Sequence, residues 1–103
     1  MKSEYIEDLP PHWGGIAKVF EALGSPLRQR MLLLFEAGEE LTIKQIADLF
    51  PFSRTTTLFH LKVLEGANLL LRRREGREVY LRLNKEPLLD ALQRVQQYAT
   101  EEV

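Results

Sequence analysis

The sequence predicts one small, mainly α-helical domain with a single β-hairpin near its C-terminal end, the hairpin following a helix-turn-helix as a wing. Three observations predict it. Apolar residues recur every three or four positions through most of the chain, with capping residues and Gly or Pro breaks between segments. Residues 69–83 alternate instead, around Glu75-Gly76, as two short paired strands do. The length of 103 residues, with 45% hydrophobic and 28% charged residues, suits one ordinary globular domain with a modest core.

Residues 1–9 set Glu4, Glu7 and Asp8 among Tyr5, Ile6 and Leu9 with neither helical nor strand periodicity. They read as a flexible N-terminal arm ahead of a domain spanning 10–103. A first helix is expected from about 11 to 23, where Trp13, Ile16, Ala17, Phe20 and Leu23 fall at helical spacing. Gly14-Gly15 weakens its first turn, so its start falls on either side of that pair. Gly24 closes this helix, and Ser25-Pro26 opens the second with a capping serine and a proline at the first helical position. Leu27, Met31, Leu34 and Phe35 face inward along it to about Ala37, and Gly38 stops it. Arg28 and Arg30 near its start read as solvated charges, with contact to a phosphate as the alternative. Thr42 caps a third helix, Ile43 to about Phe50, which Pro51-Phe52 breaks.

Ser53 caps a fourth helix from Arg54 to about Gly66. Thr57, Leu61 and Leu64 line its inner face, leaving Arg54, Thr55, Thr56, Leu58 and Phe59 outside. Two short helices joined by a tight turn, the second starting polar, form a helix-turn-helix. Strands are expected at Leu69–Arg74 and Glu78–Leu83. Because strand side chains alternate, Arg72 and Arg74 project from one face and Arg73 from the other; Arg74 and Arg77 are expected opposite each other across the tip. Asn84 caps a last helix from about 86 to 99, with Leu88, Leu92, Val95 and Ala99 in one stripe and Leu89 beside it. A helix with an exposed polar first turn, followed by a cationic hairpin, is what a winged helix presents to double-stranded DNA. The helix enters the major groove and the hairpin reaches the flanking backbone.

The order of these elements resembles the ArsR (arsenic-repressor-like) family of winged helix-turn-helix regulators, over roughly Phe20 to Leu83. The motifs that carry it are Ala22-Leu23-Gly24-Ser25-Pro26-Leu27-Arg28, Ile46-Ala47-Asp48, His60-Leu61-Lys62-Val63-Leu64, and Arg73-Arg74-Glu75-Gly76-Arg77 with Val79-Tyr80. The resemblance implies a repressor that dimerises through its terminal helices and binds an inverted-repeat operator. The chain departs from the family in places. Pro51 stands where a glycine is usual, and Asn68 where a glycine is common, although asparagine also reaches the left-handed conformation. Leu58 and Phe59 stand where the family tends to be polar. The cysteine motif of the arsenic-type sensors and the Asp/His/Glu ligand set of the zinc-type sensors are both missing.

Residue roles follow from side-chain chemistry. Arg54, Thr55 and Thr56 suit base edges, and Phe59 suits an apolar contact. Ser53, His60 and Lys62 suit phosphates. The plainer alternatives are a capped, solvated helix start for the Ser53 group and a structural role for His60. For Arg72, Arg73, Arg74 and Arg77 the alternative is a solvated hairpin edge. Their place beside the fourth helix favours backbone contact for at least two of the four. Trp13, Ile16, Phe20, Leu88, Leu92 and Val95 exceed what one small core buries and predict a homodimer interface between the terminal helices. A second class of function is a protein-interaction module that uses Leu58 and Phe59 as its contact face.

Other classes are excluded by what the sequence lacks. Zero cysteines rule out disulfides, thiolate metal sites and thiol redox sensing. His12 would need carboxylates such as Glu101 or Glu102 from across a dimer to hold a metal, so no metal site and no cofactor are expected, and the effector stays open. No phosphate-cradling loop, metal-helix motif or nucleophile beside a base supports an enzyme. No apolar run approaches the roughly 20 residues a membrane helix needs, and Met1-Lys2-Ser3-Glu4 is no secretion signal, so a cytoplasmic protein is expected. The net charge of −1 argues against indiscriminate nucleic-acid binding and throws the weight onto a local basic patch.

Overall fold

The computed structural model describes residues 4–103. They run α1 (Glu4–Glu7), a 3-10 turn (Pro11–Trp13), α2 (Gly14–Leu23), α3 (Pro26–Leu32), β1 (Glu40–Thr42) and α4 (Ile43–Leu49). Then follow α5 (Arg54–Gly66), β2 (Leu70–Glu75), β3 (Glu78–Leu83) and α6 (Lys85–Gln97), which ends in a π-helical turn (Tyr98–Glu102). The class is the expected one, mainly helical with a hairpin. Within the expected arm α1 makes one helical turn; residues 1–3 lie outside the described residues.

Each boundary has a local cause. The 3-10 turn starts on Pro11 and is closed by Trp13 N donating to Pro10 O at 2.9 Å, after which α2 begins at Gly14. The buried stripe of α2 is Ile16, Val19 and Ala22, rotated from the expected one, so Ala17 and Phe20 lie outside. Ser25 caps α3, its Oγ accepting from Arg28 N. This helix stops at Leu32, well short of Ala37. The amides of Leu34 and Phe35 bond carbonyls only three residues back, at Met31 and Leu32. That tight last turn swings Phe35 into the core and leaves Leu33 83% exposed. Thr42 opens α4 with a capping box: its hydroxyl accepts from Gln45 N at 3.0 Å, and Thr42 N donates to Gln45 Oε1 at 2.8 Å. The helix ends at Leu49, one residue early, because Phe50 precedes Pro51 and is extended (φ −109°, ψ 141°).

The sheet is antiparallel in the order β1-β3-β2. The three-residue β1 was not expected; it lays Leu41 opposite Leu81 on β3. The hairpin turn is Gly76-Arg77, with Gly76 at φ 60°, as a turn needing a left-handed first residue requires. Arg74 pairs with Val79 and Glu75 with Glu78, so Arg77 sits in the turn and does not face Arg74. Asn68 takes φ 61° between α5 and β2, the left-handed turn expected of it. Met31, Ile46, Leu61, Leu64, Leu69 and Leu81 are buried where the helices meet the sheet.

The terminal elements reach beyond this core. On α6 only Ala91 is buried, while Leu89 and Leu92 are exposed. Asn84 makes no side-chain cap; its Nδ2 instead donates to Asn68 O at 2.9 Å, tying the start of α6 to the α5–β2 turn. The Cα radius of gyration is 16.1 Å, against the ~13 Å usual for a compact chain of this length. The accessible surface is 7564 Å², about a quarter above the size expected of a folded 12.0 kDa monomer. Among the described residues no helix is long and apolar enough to cross a membrane.

Candidate nucleic-acid interface

The first turn of α5 is fixed from behind and open in front. Thr57, Leu61 and Leu64 are buried along one side and seat the helix on the core. Ser53 caps it: its Oγ accepts from Thr56 N at 3.1 Å and donates to Thr56 Oγ1 at 3.0 Å. Arg54, Thr55 and Thr56 are left exposed at the amino end, as expected. Leu58 is not. It is half-buried against the core and lines a groove of about 230 Å³ with Ile43, Lys44, Arg54, Arg77, Glu78 and Val79. The expected Leu58–Phe59 face therefore reduces to Phe59, which is 58% exposed and stands edge-on to His60 at 5.2 Å.

His60 and Arg28 form a joint that sequence reasoning missed. Arg28 donates from Nε to Ala22 O (2.8 Å) and from Nη2 to Glu21 O (3.1 Å), satisfying carbonyls at the end of α2. Its Nη1 lies 3.0 Å from His60 Nδ1. A guanidinium has only donors, so Nδ1 must accept and the ring is neutral, with Nε2–H left for an outside partner. Burial, and then the charge of Arg28, hold His60 below its ordinary pKa. Arg28 is thus neither solvated nor free for a phosphate: it joins α2, α3 and α5. The signal was in the sequence, as an arginine and a cap separated from the end of a helix by one tight turn. Arg30 stacks over Phe50, its Cζ 5.5 Å from the ring centre.

The wing arginines divide in two. Arg72 is held bidentately by Glu65, with both contacts at 2.9 Å. Arg73 is held by Glu40 (2.9 and 3.0 Å) and Glu75 (3.0 Å), and lies 4.5 Å above the Tyr80 ring. These hydrogen bonds raise the pKa of both arginines, and the Arg73 bond lowers that of Glu40. Alternation places Arg72 toward α5 and Arg73 toward β1, so each meets a different acid. Among the described residues no carboxylate lies within ion-pair distance of Arg54, Lys62, Arg74 or Arg77, all of them exposed. Lys44, in the first turn of α4, joins Arg54 and Arg77 in the lining of the groove, where Glu78 is the one carboxylate among the described residues. Sequence alone does not mark it, because a lone lysine in a helix carries no pattern.

The residues expected at a dimer interface are scattered in burial. Ile16 is 5% exposed and belongs to the protomer's own core, because it faces inward on α2 with Val19. Trp13 is half-buried edge-on to Tyr98 at 5.6 Å. Leu88 and Val95 are half-buried, whereas Phe20 and Leu92 are 42% and 49% exposed. His12 neighbours Trp13, and among the described residues no group of three or more His, Cys, Asp or Glu gathers.

A family model described as a helix-turn-helix domain matches residues 23–73. The chain is 32% identical over 74 residues to the transcriptional repressor SdpR of Bacillus subtilis, a match covering 72% of this chain and 81% of that one. In fold it is similar to an ArsR-like transcriptional regulator from Rhodococcus sp. RHA1, with a TM-score of 0.77, 23% identity, and coverage of 87% and 82% of the two chains. It is also similar to a homodimeric winged helix-turn-helix DNA-binding domain from Mycobacterium bovis, with a TM-score of 0.64, 28% identity, and coverage of 86% and 84%.

Proposed function

The chain belongs to the ArsR family of winged helix-turn-helix transcriptional regulators, and we propose that it works as a homodimeric repressor on an inverted-repeat operator. Its chemistry is recognition of DNA, not catalysis. The observation that carries the proposal is the first turn of α5. Arg54, Thr55 and Thr56 stand exposed on a helix whose opposite side is locked into the core, flanked by cations that form no ion pair with an acid of the described residues. Arg54 reads guanine through its paired donors, and the threonines supply hydroxyl and methyl contacts. Phe59 meets a thymine methyl. Ser53, Lys62, Arg74 and Arg77 hold phosphates, joined by Lys44. Arg72 and Arg73, which are committed to carboxylates, stiffen the wing instead of touching DNA.

The dimer is supported by the excess surface of the protomer, by exposed Phe20 and Leu92 beside half-buried Leu88 and Val95, and by the homodimeric state of the Mycobacterium bovis relative. A two-fold pair would bring two α5 helices to major grooves one turn of DNA apart. The test is a gel shift against fragmented genomic DNA at low and at physiological salt. One or a few fragments should remain bound at the higher salt, about a thousandfold tighter than bulk DNA. Uniform, salt-labile retention of every fragment would sink the proposal.

A further inference from the structure

A second site lies outside the helix-turn-helix, where residues 5–13 meet residues 98–102. Tyr5, Leu9, Pro10, Trp13, Tyr98 and Glu102 line a groove of about 460 Å³, within the usual size of small-ligand sites. Among the described residues its lining is three aromatic rings, two aliphatic residues and one carboxylate, with no lysine or arginine. Trp13 and Tyr98 meet edge-to-face, their centroids 5.6 Å apart and their planes at 89°. Two rings at right angles form a corner, and Tyr5, 62% exposed, supplies a further wall. The π-helical turn Tyr98–Glu102 at the end of α6 brings Tyr98 and Glu102 to the same groove. Such turns are rare and recur at functional sites.

We propose that this groove binds a small organic cation of the quaternary or tertiary ammonium type. Ring faces carry negative quadrupole potential and attract a weakly hydrated cation, while an inorganic cation keeps its water and gains little there. The carboxylate of Glu102 adds a full opposite charge, and no lysine or arginine of the described residues lines the groove to repel the ligand. An anion would be repelled by the Glu102 carboxylate, and a neutral apolar molecule would leave Glu102 unused. Binding here rests on this groove alone and does not depend on how the chain meets DNA.

Trp13 is the one tryptophan of the sequence, so it reports directly on the site. The full-length chain is titrated with tetraethylammonium and with choline, following tryptophan emission at constant ionic strength set with sodium chloride. The neutral isostere of choline, 3,3-dimethyl-1-butanol, serves as the control. Emission should change saturably with both cations, and the neutral isostere should bind about tenfold more weakly or less. Glu102→Gln and Tyr98→Leu should each weaken the cations by about tenfold, with unchanged far-UV circular dichroism. Three results would overturn the proposal: no saturable change, equal binding of the neutral isostere, or emission that follows protein concentration but ignores the cations. The last would mean that a second copy of the chain covers the groove.

Discussion

Arg54 is the residue to which we assign the reading of base sequence. It is exposed, forms no ion pair among the described residues, and is placed by the Ser53 cap at the amino end of α5. Arg54→Ala should relax base preference at one position per half-site and cost about 1–3 kcal/mol for each bidentate pair removed, measured on operator variants. A uniform loss across all variants would instead make Arg54 a phosphate ligand. His60 is a different case, because its neutral form is built into the Arg28 joint. Its folded-state pKa is depressed, so the unfolded chain protonates first as pH falls below the ordinary value of about 6.5. Stability that is complete above that value is therefore lost as pH drops toward the folded-state value. Urea midpoints taken from about pH 7.5 to about pH 5 should fall more steeply for the native chain than for His60→Gln. Parallel curves would show that the joint does not depend on the neutral ring. His60 was legible as structural or phosphate-binding, but its partner, 32 positions away, was not.

At the scale of elements, the wing separates arginines paired with acids from arginines left unpaired among the described residues. Four arginines look alike in sequence; the acids across from them decide which remain available. Glu65 on α5 engages Arg72, and Glu40 on β1 engages Arg73, while Arg74 and Arg77 have no such partner among the described residues. The double variant Arg74→Ala, Arg77→Ala should weaken binding to all sequences alike. It should also flatten the slope of log K against log salt by about 0.9 for each phosphate that is no longer neutralised. Arg73→Ala should leave that slope unchanged while loosening the β1–β3 edge, visible as faster amide exchange along β1. A flattened slope in Arg73→Ala would show that DNA competes Glu40 away. Caps and breakers made most element boundaries legible, as Ser53, Thr42 and Pro51 show. The strand β1 was not legible, because three residues hold too little alternation to register. The early stop of α3 was not either, since the pull of the core on Phe35 outweighed a periodicity that continues to Ala37.

The whole molecule is more extended than a compact chain of its length. A surface of 7564 Å² and a radius of gyration of 16.1 Å leave apolar residues of α2 and α6 facing out, although their spacing suits a core. Leu92 is 49% exposed beside half-buried Leu88 and Val95, a position that a second copy would close. Leu92→Asp should give monomers in sedimentation velocity and remove operator binding, while far-UV circular dichroism stays unchanged. Burying an unpaired carboxylate at an interface costs several kcal/mol, but at the surface of a monomer it costs almost nothing. A native chain that sediments as a monomer at micromolar concentration would remove the basis of the dimer.

Local rules, by themselves, determined the order of the elements, the helix-turn-helix, the hairpin and the polar start of α5. Each rests on neighbours in the chain: a cap and its amide, a proline and the residue before it, a period of apolar side chains. Tertiary structure decided which of two overlapping stripes on α2 is buried and that Leu58 turns inward. It also decided that Arg28 serves a helix end, and that two of four wing arginines are spent on acids. Those outcomes depend on which group arrives from a distant part of the chain to compete for the same side chain. Spacing along the sequence fixes a residue's face, and packing fixes what that face meets.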